Sequence, residues 1–138
     1  DALLEGPHVL SGYVDNSLGV AELHRGRPTA ARAHFLRALA TFQALYAPPH
    51  RQLEATVANL GEAAFEAGSF AEAADWFDAA SRQRGQLAQA TPLPGLDAAC
   101  LAAEAAIHAG DLARARAALV TCRARMRDTA PDDVAGLA

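Results

Sequence analysis

The sequence predicts an all-α protein, a right-handed solenoid of three helix-turn-helix repeats, and three observations carry that prediction. Leu18-Gly19, Gly26, Ala31 and Phe35 are followed 42 residues later by Leu60-Gly61, Gly68, Ala73 and Phe77, and Gly110, Ala115 and Leu119 lie a further 42 on. A fixed period of tens of residues marks stacked supersecondary units. Each copy is divided by a glycine into two segments whose apolar residues recur at helical spacing. Alanine dominates the apolar residues while aromatics make up only 6%. The interior must then come from closely approaching elements, and Ala is the best intrinsic helix former.

The elements follow in order. Asp1-Ala2-Leu3-Leu4 reads as the end of an earlier helix, in a piece of a longer protein. Pro7 precedes a helix over 8–25, which Gly26 stops, and Pro28 takes a first helical position in the next, 28–46, where its missing N–H does no harm. Pro49 stands 42 residues after Pro7 and opens a helix over 50–67. Gly68 ends it in the left-handed conformation, and Ser69 with Glu72 reads as a capping box for 70–88. Thr91-Pro92 takes the corresponding place before a helix over 92–109, and Asp111 follows the stop at Gly110 as N-cap of 111–127. The repeats thus span about 8–46, 50–88 and 92–127 within a domain over 1–127, and 128–138 reads as a polar tail. Buried faces are expected at Ala31, Phe35, Ala38 and Phe42, at Phe70, Ala73, Phe77 and Ala80, and at Leu112, Ala115, Leu119 and Cys122. Phe35, Phe77 and Leu119 are the large side chains expected deepest.

Length and composition limit function. At 138 residues, 51% hydrophobic and 20% charged, the chain is one globular domain. All basic charge is Arg, with no Lys, and the net charge of −4 supplies no general attraction to nucleic acid or an anionic membrane. No apolar run is long enough to span a bilayer and no signal sequence opens the chain, so a cytoplasmic location is expected.

These residues resemble the tetratricopeptide repeat. Leu18, Gly19, Gly26, Ala31, Phe35 and Ala38 match one copy, and Leu60, Gly61, Gly68, Phe70, Ala73, Phe77 and Ala80 a second. A third matches at Gly110, Leu112, Ala115 and Leu119, with Ala102-Ala103 in place of Leu-Gly. The family's first-helix Trp and Tyr are absent, its closing proline is displaced, and the usual period of about 34 is lengthened. Such long-helix variants resemble the arrays of bacterial signal-responsive transcription activators and related signalling proteins. The resemblance implies a non-catalytic module binding a protein or peptide. A spacing or dimerising array without a groove ligand is the alternative, and part of an enzyme the third reading.

The resemblance also implies that the first helix of each pair lines a concave surface. The ligand-binding residues expected there are Tyr13, Asn16, Leu23, Asn59, Glu62, Phe65, Glu66, Glu104, Ile107 and His108. Asn59 is the expected polar anchor, because its amide donates and accepts together, as a peptide unit requires. Tyr13, Leu23, Phe65 and Ile107 are its apolar wall. The carboxylate clamp of chaperone-binding members needs basic residues at positions held here by Tyr13, Ala55 and Asp97. Glu62, Glu66, Asp97 and Glu104 instead make the groove acidic and favour a partner with Lys or Arg.

Other chemistry finds little footing. His24, Glu66 and His108 recur at the repeat spacing, but successive helix pairs lie about 10 Å apart and zinc needs ligands about 2 Å from one point, so no metal or cofactor is expected. The glycines follow the repeat rather than a phosphate loop, and no catalytic triad can be argued. Cys100 and Cys122 lie symmetrically about the last turn and read as small buried thiols. Arg114, Arg116, Arg123, Arg125 and Arg127 read as winding around a solvated helix. An uncapped terminal face at Leu112, Leu119 and Met126, or at Ala2-Leu3-Leu4, is expected to self-associate or to continue the array.

Overall fold

The computed structural model describes residues 7–88 and 97–129. They form α1 (Val9–His24), α2 (Pro28–Leu45), α3 (Arg51–Glu66), α4 (Phe70–Ala88), α5 (Ala98–His108) and α6 (Leu112–Thr129), with no strand among the described residues. Successive helices pack as the hairpins α1·α2, α3·α4 and α5·α6, and α2 on α3 and α4 on α5 join the hairpins into a solenoid. The expected helix at Ala2-Leu3-Leu4, the start at Pro92 and residues 130–138 of the expected tail lie outside the described residues, and α6 takes in the tail's first two residues, 128–129.

Each hairpin turns on a glycine whose φ, 71° at Gly26, 80° at Gly68 and 78° at Gly110, suits a residue without Cβ. At Gly68 the glycine N–H donates to Phe65 O at 3.0 Å and Ser69 N–H to Ala64 O at 2.9 Å, closing the helix carbonyls, and the same pair of bonds recurs at the other two turns. This corrects the capping box. Ser69 N–H is already consumed, and Glu72 turns away, its Oε1 accepting from Arg32 Nε at 2.8 Å and Trp76 Nε1 at 3.2 Å. Asp111 does cap α6, accepting Arg114 N–H at 3.0 Å. Two caps not anticipated are His8 and His50, one repeat apart, whose Nδ1 atoms accept Leu10 and Gln52 N–H at 3.1 Å. The third such position is Pro92, which has no acceptor side chain. Here α5 starts later than expected, at Ala98, with Asp97 extended and its carboxylate accepting Ala99 N–H at 2.8 Å.

Glycine packing explains the Leu-Gly pairs. A Cβ on Gly19 would lie 2.4 Å from the Phe35 ring and one on Gly61 2.6 Å from Phe77. Each ring therefore packs directly on the backbone of its hairpin partner. The third repeat carries Ala103 opposite Leu119, so the smaller side chain accompanies the methyl group. Phe35, Phe42 and Leu60 are fully buried, and Phe77 is 3% exposed. Leu119, expected with them, is only half-buried and Leu112 is exposed, because no described helix packs over α6. The free-thiol expectation is also overturned. Cys100 on α5 and Cys122 on α6 face each other with Cα atoms 4.9 Å apart and form a disulfide.

Candidate functional site

One turn of helix brings i, i+3, i+4 and i+7 to the same face, and this places Ala58, Asn59, Glu62 and Phe65 of α3 beside Leu101 and Glu104 of α5. Together with the edge of Phe77 beneath, they line a cleft of about 290 Å³. That is a side-chain-sized recess, at the lower limit of small-molecule pockets. Phe65, Leu101, Ala58 and Phe77 give it an apolar floor. Glu62 and Glu104 stand exposed at its mouth, with no cationic partner among the described residues.

Asn59, half-buried, donates its Nδ2 N–H to Asn16 Oδ1 at 3.0 Å. The pair links the first two layers along the groove and leaves Asn59 its carbonyl oxygen and second N–H. At the other end Phe65 and His108 meet edge-on with centroids 5.2 Å apart, and both rest on Phe70, at 5.1 and 4.8 Å. His108 is thus part of an aromatic cluster. Among the described residues no group of three or more metal-ligating side chains comes together. Glu66 and Ile107 are exposed beside this cluster.

Three expectations change. Leu23 is buried in the core, at 8% exposure, and forms no groove wall. Asp97 adds no free negative charge to the groove: besides capping α5 it pairs with Arg125 Nη1 at 2.7 Å and with Arg84 Nε at 3.8 Å. Tyr13 is exposed but sits apart from the cleft, edge-on to Phe42 and bordering a second recess of about 580 Å³ with Tyr46, His50, Glu54 and Arg84.

That second recess went unrecognised in the sequence. Its rings, Tyr46 and His50, stack at 3.8 Å across the turn between α2 and α3. Burial pushes the Glu54 carboxyl above its ordinary value, outweighing the nearby Arg84 guanidinium, while Asp97 reinforces the rise. The available signal was the bracketing of Pro48-Pro49 by an aromatic ring and an imidazole.

The Arg residues of α6 divide by face instead of winding indifferently. Arg114 binds Asp78 and Asp75, and its hydrogen bond to Asp78 foremost raises its pKa further. Arg125 Nη1 donates to Ser81 O and Asp97, passing over Gly85, where a Cβ would lie 2.5 Å from the guanidinium. Arg116, Arg123 and Arg127 face outward and are exposed.

With this geometry in view, comparisons with known proteins agree on the architecture. The sequence profile described as tetratricopeptide repeat matches residues 10–90. The crystal structure of the TPR domain of Arabidopsis FLU is 20% identical, with a TM-score of 0.72 over 86% of this chain and 97% of that one. BtubC (BKLC) from P. vanneervenii is also 20% identical, with a TM-score of 0.73 over 88% of this chain but 50% of its own. No curated protein matches the sequence. No described helix is long and apolar enough to cross a membrane.

Proposed function

The chain belongs to the tetratricopeptide repeat family, a family of protein-interaction modules, and on that premise we propose that it captures a segment of a partner protein in the groove along α1, α3 and α5. It does so as a non-catalytic regulatory part of a larger bacterial signalling or transcription-regulating protein. The observation that supports this most is the cleft between α3 and α5, with its apolar floor and the two carboxylates at its mouth. An Arg or Lys of the partner lays its alkyl stem over Phe65 and Leu101 and its charge between Glu62 and Glu104, while Asn59 meets the adjoining peptide unit.

Anisotropy titrations of one extended peptide carrying Arg, Ala or Glu at its centre test the proposal. The Arg member should bind tightest, with each exposed ion pair contributing about 0–1 kcal/mol. Glu62→Lys with Glu104→Lys should abolish that preference, and Asn59→Ala should weaken binding by about 1–3 kcal/mol if it leaves a buried peptide group unpaired. Equal affinities across the three peptides would refute the cleft as an acidic anchor.

The alternative, a spacing or dimerising array, draws support from the outer face of α1, where Leu10, Val14 and Leu18 are 63%, 58% and 45% exposed. Sedimentation velocity decides it. Concentration-dependent dimers lost in Val14→Glu would favour self-association through this end, and a monomer throughout would oppose it. A cytoplasmic setting and an oxidising one differ in whether the Cys100–Cys122 bond persists. Alkylation of thiols in intact cells distinguishes the two settings.

A further inference from the structure

The outward faces of the second helices occupy equivalent positions and differ in what covers them. In α2 the stripe is Arg32, Leu36, Leu39 and Gln43, and in α4 it is Ala74, Asp78, Ser81 and Gly85. Leu39 is 8% exposed, Ala74 0% and Ser81 6%, because the next hairpin lies against them. The same positions of α6 are Arg116, Val120, Arg123 and Arg127, and all are exposed, Val120 at 70%. Leu112 and Met126 flank them at 61% and 57%. The spacing gathers these side chains within about a third of the helix circumference. Around Val120 and Met126 the side chains enclose an open recess of about 510 Å³, bordered by Arg123 and Arg127.

Inside the molecule the one arginine of this stripe meets a carboxylate. Arg32, the counterpart of Arg116, pairs with Glu72 of the next hairpin at 2.7 Å. Arg116, Arg123 and Arg127 have no carboxylate partner among the described residues. A second copy of the chain stacked in the same manner does not supply one to Arg116, because it would present Ala30 where the second hairpin presents Glu72. Head-to-tail stacking of copies would therefore leave Arg116 against alanine, without the carboxylate that Arg32 meets.

We propose that the outer face of α6 docks an acidic amphipathic helix of a different protein, its aliphatic side chains on Val120 and Met126 and its carboxylates on Arg116, Arg123 and Arg127. The site is separate from the groove, on the end of the solenoid, so two partners can be held at once. Apolar contact supplies adhesion, and the three arginines select sign and register.

The probe is a fluorescein-labelled helical peptide of 18 residues or so, about the length of the stripe, with Leu along one face and Glu flanking it. Its Glu→Gln and Glu→Lys counterparts and a single-stranded oligodeoxynucleotide serve as comparisons, all against the full chain. The Glu peptide should bind at least about ten-fold tighter than the Gln peptide, a difference equivalent to about 1.4 kcal/mol. Val120→Asp should lose it, and Arg116→Glu with Arg123→Glu should transfer the preference to the Lys peptide. Both substitutions are on exposed positions, and an unchanged helical melting curve confirms that the fold persists. The Glu62→Lys, Glu104→Lys groove variant should bind the Glu peptide normally, which separates this proposal from the groove. Equal binding of the Glu and Gln peptides overturns it. So does tighter binding of the oligonucleotide that is indifferent to Val120→Asp, which would make the stripe a phosphate-binding surface instead.

Discussion

Substituting Gly61 by Ala tests the packing logic of the whole array. The new Cβ would lie 2.6 Å from Phe77 Cδ1 and Cε1, whereas ordinary contact begins at 3.4 Å. The ring must retreat by several tenths of an ångström, yet at 3% exposure it has no solvent to retreat into. Overpacking of this kind costs about 1–3 kcal/mol. Against it stands the gain of about 1 kcal/mol from replacing a mid-helix glycine by alanine. The single substitution alone is therefore a weak test, and a double-mutant cycle with Phe77→Leu isolates the clash. The helix-propensity gain is the same in both backgrounds and cancels, and a Leu opposite an Ala is the combination the third repeat already uses at Ala103 and Leu119. Urea unfolding should give a coupling of about 1–3 kcal/mol, with the double variant more stable than the sum of the singles predicts. Additivity within about 0.5 kcal/mol would refute the view that the glycine exists to seat the ring. Gly68→Ala is the control. Nothing lies within 4 Å of its Cβ and its φ is 80°, so it should cost about 1–2 kcal/mol through the backbone alone and show no coupling to Phe77.

Other outcomes follow from single features. Opening the Cys100–Cys122 bond, which closes a loop with sequence separation 22, should lower stability by about 3 kcal/mol on chain-entropy grounds, read as a shift in the urea midpoint with and without reductant. An unchanged midpoint would show that the hairpin alone already restrains that loop. Glu54 has a folded pKa above its unfolded value, so the folded state binds its proton more tightly and stability falls as pH rises from about 4.5 upward. Glu54→Gln should therefore gain on the wild type across that rise, and a parallel pair of stability curves from pH 4 to about 7 would show that Arg84 fully compensates the burial. Arg125→Ala should release the α4–α5 junction at Ser81 and Asp97, seen as faster amide exchange at the start of α5; protection there equal to wild type would count against that role.

What the sequence reveals here is whatever local stereochemistry repeats. A left-handed turn residue and a ring seated on a glycine each demand a particular residue at a particular place, so the period, the hairpins and the deep phenylalanines are legible. Leu119 departs from the expectation because burial depends on the neighbouring layer, and periodicity does not say whether a helix lies against a given face. Leu23 belongs to the core and not the groove for a related reason: on a helix packed on two sides, one residue's shift separates wall from core. The cleft residues Asn59, Glu62, Phe65 and Glu104 converge because α3 and α5 are adjacent first helices, which the repeat does imply. The recess at Tyr13, Tyr46 and His50 depends on how α2 ends and α3 begins, and no spacing rule reaches that turn. The two cysteines were legible as neighbours, but neighbourhood alone does not distinguish thiols from a bond.

The hairpins are alike in shape, and the charges between layers distinguish one junction from the other. Arg32 of the first hairpin meets Glu72 of the second, whereas Asp75 and Asp78 of the second meet Arg114 of the third. The polarity reverses between the two junctions, and Arg114 is the counterpart, one repeat on, of Glu72. Joining the first hairpin directly to the third would accordingly bring Arg32 against Arg114 while removing both aspartates. A chain shortened by one repeat, residues 50–91, keeps every glycine–ring contact of its remaining hairpins and should still be helical, but it should unfold more readily than repeat loss alone requires. Arg114→Glu then separates shape from charge. It should stabilise the shortened chain by restoring the pairing seen at Glu72, by about 0–1 kcal/mol for a pair this exposed, and destabilise the full chain by placing three carboxylates together. The same sign of effect in both chains would mean that charge does not distinguish the two junctions.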